Sequence, residues 1–266
     1  MTEATWLTST DVWDMLEFLR NRGQATPRKL RLFACGCLRH VWHLVHDERL
    51  RRAVEIAEDY ADGRAGWWML CMGRRRALKA ARAAAETQNQ LWCVSFESNV
   101  LDANAKTYYA AAAAADAAFA ACSTLMVDAG KAAWLASLWV RGAVVNYVLH
   151  MGEPGIAGEY ATIHNSVQAL EETEHASLLR CIFGNPFEQS LAVDKTWVSW
   201  NDGLVAKLAY AIYEERAFER MPILADALLD AGCNQDELID HLRVLSPHSR
   251  GCWVLDALLC SRVPSR

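Results

Sequence analysis

The stretch Thr26–His46, TPRKLRLFACGCLRHVWHLVH, constrains the chain most, because its apolar residues line up only on a helix. Thr26 offers a side-chain oxygen to the first turn, and Pro27 suits the first helical position, where a backbone N–H is not needed. Leu30, Phe33, Ala34, Cys37, Val41, Leu44 and Val45 then recur at helical spacing and make one stripe. The pattern predicts a single amphipathic helix over the whole stretch. At about 100° per residue, Cys37 falls inside the stripe and Cys35 near the opposite side, so this C-x-C pair cannot close on one metal ion. His40, His43 and His46 form an arc from the edge of the stripe toward solvent. Neighbours in that arc can share a metal. The alternative is a core Cys37, a boundary His40, and His43 and His46 as surface cations near the helix C-terminus, where positive charge is favoured.

The same periodicity runs through the rest of the chain, and no stretch alternates apolar and polar residues as a strand would. Helices are expected over Thr10–Asn21, from an Asp47 cap to Asp62, from about Val100 to Val127, over Lys131–His150, from about Tyr160 to Ile182, and over Asp202–Arg216, Pro222–Asp230, Gln235–Val244 and Gly251–Cys260. Leu91–Phe96 reads as irregular, and Ser98 as the cap of the alanine-rich helix after it. Alanine is the best helix former, and alanine faces let neighbouring helices approach closely. Gly152–Gly158, with its three glycines and one proline, is the clearest linker. Gly184-Asn185-Pro186-Phe187 marks a sharp turn, Thr196–Trp200 a short helical turn, and Arg262–Arg266 a loose tail.

Composition limits the function classes. The chain is net acidic, with its first hundred residues mildly basic, which argues against nucleic acid as a main partner. The one basic cluster, Arg74, Arg75, Arg76, Lys79 and Arg82, wraps most of the way round a helix and reads as solvated, with a phosphate-binding face as the alternative. Nine cysteines without framework spacing, mostly at apolar helical positions, indicate reduced thiols and a cytoplasmic protein. Met1–Thr10 carries no basic, apolar leader pattern. Ala132–Met151 is long enough to span a bilayer, but Arg141 near its middle and its Ala, Gly and Asn content read as a buried core helix rather than a membrane element.

No glycine-rich nucleotide loop, zinc-protease helix, nucleophile elbow or C-x-x-C pair occurs in the sequence. Two constellations remain. Glu172-x-x-His175 is half of a di-iron bundle motif, but its required second copy is absent. His241, His248 and Cys252, in DHLRVLSPHSRGCW, flank a loop between two helices and can converge. With His40 or His43 they supply four ligands of types that zinc accepts. The alternative packs Cys252 and Trp253 into the core with the histidines outside.

Three passages, MLEFLR…RKLRLFACGCLRHVWHL…DERLRRAVEIAEDYADG, LLRCIFGNPF, and WNDGLVAKLAYAIYEERAFERMPILADALLDAGC…HLR…PHSRGCWVLDALL, resemble a family of uncharacterised bacterial helical proteins. They cover about half of the chain. The resemblance implies one integrated unit and no activity. It also implies further cysteines at two positions that here hold Leu38 and Leu242. Any metal bound through them in the family would have lost ligands in this chain; equally, the paired change would suit two segments that meet in the core.

The expected fold is therefore all-α, an irregular bundle of about nine or ten helices in a single unit over residues 1–266, with 152–158 as the point of any subdivision. The expected function is that of a non-enzymatic interaction or scaffold protein with a protein partner, using exposed aromatics such as Trp67 and Trp68. The second expectation is a metal- or small-ligand-binding helical protein that could also be an enzyme, with zinc on His40, His43, His241, His248 and Cys252.

Overall fold

The computed structural model describes residues 1–98, 101–151, 160–188, 193–244 and 246–260. Among these residues the chain is all-α. Its helices are α1 (Glu3–Thr8), α2 (Val12–Asn21), α3 (Pro27–His40), α4 (Glu48–Ala61), α5 (Trp67–Ser98), α6 (Leu101–Thr124), α7 (Ala129–Met151), α8 (Tyr160–Phe183), α9 (Lys195–Glu215), α10 (Met221–Asp230), α11 (Asp236–Arg243) and α12 (Trp253–Cys260). The chain, expected as one unit, divides into two compact units. One is Ser9–Ala176; the other joins Met1–Thr8 to Ser177–Arg266. The linker expected at 152–158 and the tail at 262–266 lie outside the described residues.

In the larger unit, Thr26 caps α3 by accepting from the Lys29 N–H, with Pro27 in the first turn. The helix is shorter than its stripe. Val41 leaves helical geometry, and Trp42–Leu44 form a short 3-10 turn. A local stack and a hydrogen bond from α4 fix that break. The Arg39 guanidinium lies 3.9 Å over the Trp42 ring, and Arg51 from α4 donates to the Val45 carbonyl at 2.7 Å. His43 and His46 therefore do not continue the arc begun by His40. Within α3 nearly every side chain from Leu30 to Leu38 is buried, Cys35 and Cys37 both included. The sulfur of Cys35 faces the Val54 carbonyl on α4.

Leu91–Phe96, expected as irregular, continues α5 to Ser98. Once a helix is nucleated, each added residue gains a hydrogen bond, and the alanine-rich turns before this run favour that propagation. α6 stops at Thr124, short of Val127, because Arg31 of α3 takes its end: Nη1 donates to the Thr124 carbonyl at 2.6 Å in the interior.

The alanine faces do what their size allows. Ala113, Ala117 and Ala120 of α6 and Ala132, Ala136 and Ala143 of α7 are buried, and these two helices share the most extensive packing in the unit. Gly142 sits where a Cβ would approach the Asp116 carboxylate to 2.7 Å. Asn146 donates to Asp116 at 2.9 Å across the same seam. Among the described residues α7 is the one helix long and apolar enough to cross a membrane by length and composition. Its mid-helix charge, Arg141, is paired with Glu172 of α8.

The smaller unit has its own core, with Trp197, Val205, Ile212, Leu224, Leu238 and Leu255 at its centre. Trp200 to Gly203 interrupts α9: Asn201, Asp202 and Gly203 all take positive φ, and helical geometry resumes after Gly203. Thr196–Trp200 is thus a separate turn, as its spacing predicts. Arg180 of α8 holds α1 by donating twice to the Trp6 carbonyl.

Burial pushes the Asp116 carboxyl up from 3.8 to about 6, with the Asn146 hydrogen bond opposing. The folded-state value lies above the unfolded one. This group therefore favours the fold at low pH, and the benefit is lost as pH rises from 3.8 to about 6. Asp116→Asn keeps an acceptor for Asn146 and removes the buried charge. Thermal unfolding should show the variant about 1–3 kcal/mol more stable near neutral pH, with the gain vanishing in acid.

Candidate metal centre

Four side chains of the smaller unit bring ligand atoms together. For Cys181, His241, His248 and Cys252, one such atom from each lies within 4.8 Å of all the others. Each comes from a different local setting. Cys181 lies in the last turns of α8, just before the helix ends at Phe183 and Gly184 turns the chain with φ +70°. His241 stands in the last turn of α11. His248 lies in the loop that follows, and Cys252 immediately precedes α12, where its carbonyl accepts the Asp256 N–H at 2.9 Å.

The loop is pinned from below. Arg250, 6% exposed, donates to the carbonyls of Tyr213 and Glu214 at the end of α9 and pairs with the Glu214 carboxylate. Gly251 has φ +89°, a conformation that costs residues with a Cβ. That turn places His248 and Cys252 on the same side of the loop.

Two of the donor separations come close to the edges of a tetrahedral ion. Cys181 Sγ lies 3.4 Å from His248 Nδ1, and Cys252 Sγ lies 3.2 Å from His241 Nε2. Bonds of about 2.3 Å to sulfur and 2.0–2.1 Å to nitrogen give tetrahedral edges of about 3.3–3.8 Å. The two imidazoles meet edge to face, 5.1 Å between centroids. Trp253 covers His241 at 5.3 Å and also lies where a Cβ on Gly184 would touch its ring. Both cysteines are buried, and the histidines are partly so.

The electrostatics favour one thiolate before any ion arrives. Burial drives the Cys252 thiol up, but hydrogen bonds from Cys181, His241 and His248 outweigh it and hold the group well below its ordinary value. Cys181 is driven the other way, first by its hydrogen bond to Cys252 and then by burial. The pair thus reads as a thiol donating to a thiolate, with two imidazoles around it.

Of the residues singled out in the sequence, His241, His248 and Cys252 converge. His40 and His43 belong to the other unit: His40 Nε2 lies 3.4 Å from Glu171 Oε1, and the His43 ring stands edge-on to Tyr147. The fourth donor is Cys181, which spacing could not find, because it lies 67 residues before His248. The Glu172-x-x-His175 pattern also resolves differently. Glu172 turns to Arg141 and Gln168, and the carboxylate beside His175 is Glu171, one helical turn earlier. Arg74, Arg75, Arg76, Lys79 and Arg82 are all exposed on α5.

No family model, curated protein or solved structure matches the chain.

Gly251→Ala should weaken the centre without touching a donor, because the new Cβ strains the loop between two of them. Metal competition against a chelator is expected to show affinity lower by roughly 10–100-fold, the usual effect of disturbing the supports of a metal ligand.

Proposed function

We propose that the protein binds a structural zinc ion through Cys181, His241, His248 and Cys252, and that it is a non-enzymatic interaction protein. The observation that carries the zinc reading is the convergence of two thiols and two imidazoles within 4.8 Å in the smaller unit. Thiolate and imidazole together suit zinc, and a four-donor protein shell leaves no coordination position for substrate, as in structural rather than catalytic sites. The ion would tie α8, α11 and the start of α12 to one point, and its binding energy would add to the stability of the unit.

The interaction reading draws support from the surface of the larger unit. Trp67 and Trp68, expected as contact residues, are 60% and 66% exposed at the start of α5. Trp13 and Trp134 meet edge to face at 5.4 Å beside a cavity of about 710 Å³ lined also by Leu16, Pro27, Leu30 and Leu135. Exposed large aromatics beside an apolar hollow are typical of contact surfaces. A protein partner is the occupant this surface suits.

Native mass spectrometry of untagged protein tests the zinc reading. One zinc per chain is expected at this centre, lost on denaturation, and Cys252→Ser should abolish it and lower the melting temperature. Unchanged zinc content and melting temperature in Cys252→Ser would reject the reading. For the surface, a photo-crosslinking residue at position 68 should capture a discrete protein in cells. Capture no greater than from a position such as 75, on the solvated basic stretch, would count against it.

A further inference from the structure

The larger unit holds a second set of donors that the zinc centre does not use. His175, on α8, is 1% exposed, and neither of its ring nitrogens has a hydrogen-bond partner. Glu171, one helical turn earlier, is 5% exposed, and its Oε2 is likewise unpartnered. Oε2 lies 3.8 Å from His175 Nε2, too far for a hydrogen bond. The other carboxylate oxygen, Oε1, lies 3.4 Å from His40 Nε2 on α3. Phe33 of α3 closes the far side, edge-on to the His175 ring at 6.4 Å.

A buried polar group left without a partner costs about 1–3 kcal/mol, and native interiors seldom leave several side by side. Here an unmet imidazole nitrogen and an unmet carboxylate oxygen lie 3.8 Å apart. We propose that His40, Glu171 and His175 bind a divalent transition-metal ion, distinct from the zinc of the smaller unit, with coordination positions left for water or a small ligand.

The helical register explains how the set assembles. Glu171 and His175 are four apart on α8, which puts them on one face. His40 ends α3 and meets that face from the other side, so the carboxylate stands between two imidazoles. Two imidazoles and one carboxylate form the donor set that iron(II), manganese(II) and zinc accept with positions to spare. The His40 side chain is 40% exposed, which gives the site an opening to solvent. Arg141 is paired with Glu172, and Glu171 meets His40 through Oε1 while its Oε2 stays unpartnered. Cys37, one turn before His40, is also buried, but the proposed donor set contains no sulfur.

That absence of sulfur separates the two centres in one experiment. Metal-free full-length protein is titrated with cobalt(II), and bound cobalt is measured by elemental analysis alongside absorption. The centre in the smaller unit should show thiolate-to-cobalt charge transfer; the site on α3 and α8 should add a second equivalent with weak d–d bands only. His40→Ala alters a half-exposed side chain, and Glu171→Gln keeps the shape of the carboxylate. Each should remove the second equivalent and leave charge transfer intact, while Cys252→Ser does the reverse. A wild-type protein that binds only the thiolate-linked equivalent overturns the proposal, and a bridging water then fills the space. So does a second equivalent that survives both His40→Ala and Glu171→Gln. Wild-type protein that binds cobalt with weak d–d bands only, and shows no charge transfer at all, would instead sink the zinc reading and leave this one standing.

Discussion

Two thiols and two imidazoles enclosed among apolar helices pose a problem that hydrogen bonds only partly solve. Cys181, Cys252, His241 and His248 share a few short contacts, and one ligand atom of each lies within 4.8 Å of the others. In a medium of low polarity every unmet donor or acceptor is expensive. One bound cation would satisfy all four side chains at once. The local architecture of the smaller unit is consistent with that demand: Arg250 anchors the loop, Gly251 bends it, and Trp253 screens the donors from solvent.

The larger unit is built on a different solution, close approach without large side chains. Alanine on α6 and α7 lets two long helices pack tightly, and Gly142 leaves room for Asp116. Where polar groups enter, they mostly find partners. Arg31 ends α6, Arg39 clamps Glu58, and Arg141 pairs with Glu172. Against that background the unmet nitrogens of His175 and the unmet oxygen of Glu171 stand out, and they give the second donor set its meaning.

Most of the helices were legible in the sequence because capping and periodicity are local. Thr26-Pro27 and Asp47 cap α3 and α4 as their residue types predict. The misses have tertiary causes. The stripe of α3 continues past His40 on paper, but the Arg39–Trp42 stack and the Arg51 hydrogen bond break the helix there. The centre was half legible. His241, His248 and Cys252 lie close in sequence on either side of one loop, and their convergence could be read. Cys181 comes from a helix far earlier, and His40 lies in the larger unit beside Glu171, because a helical protein brings side chains together through packing rather than spacing. For the same reason the E-x-x-H spacing points to Glu172 and not to Glu171, the carboxylate that lies beside His175. Only the rotation of α8 against α3 tells which of two adjacent carboxylates faces the histidines.

The most direct test of the central claim is zinc-edge X-ray absorption on the full-length protein loaded with one equivalent of zinc. The account predicts a first shell of two sulfurs at about 2.3 Å and two imidazole nitrogens at about 2.0–2.1 Å. A shell of nitrogen and oxygen alone would contradict it, because the ion would then have chosen other residues over the two buried thiols.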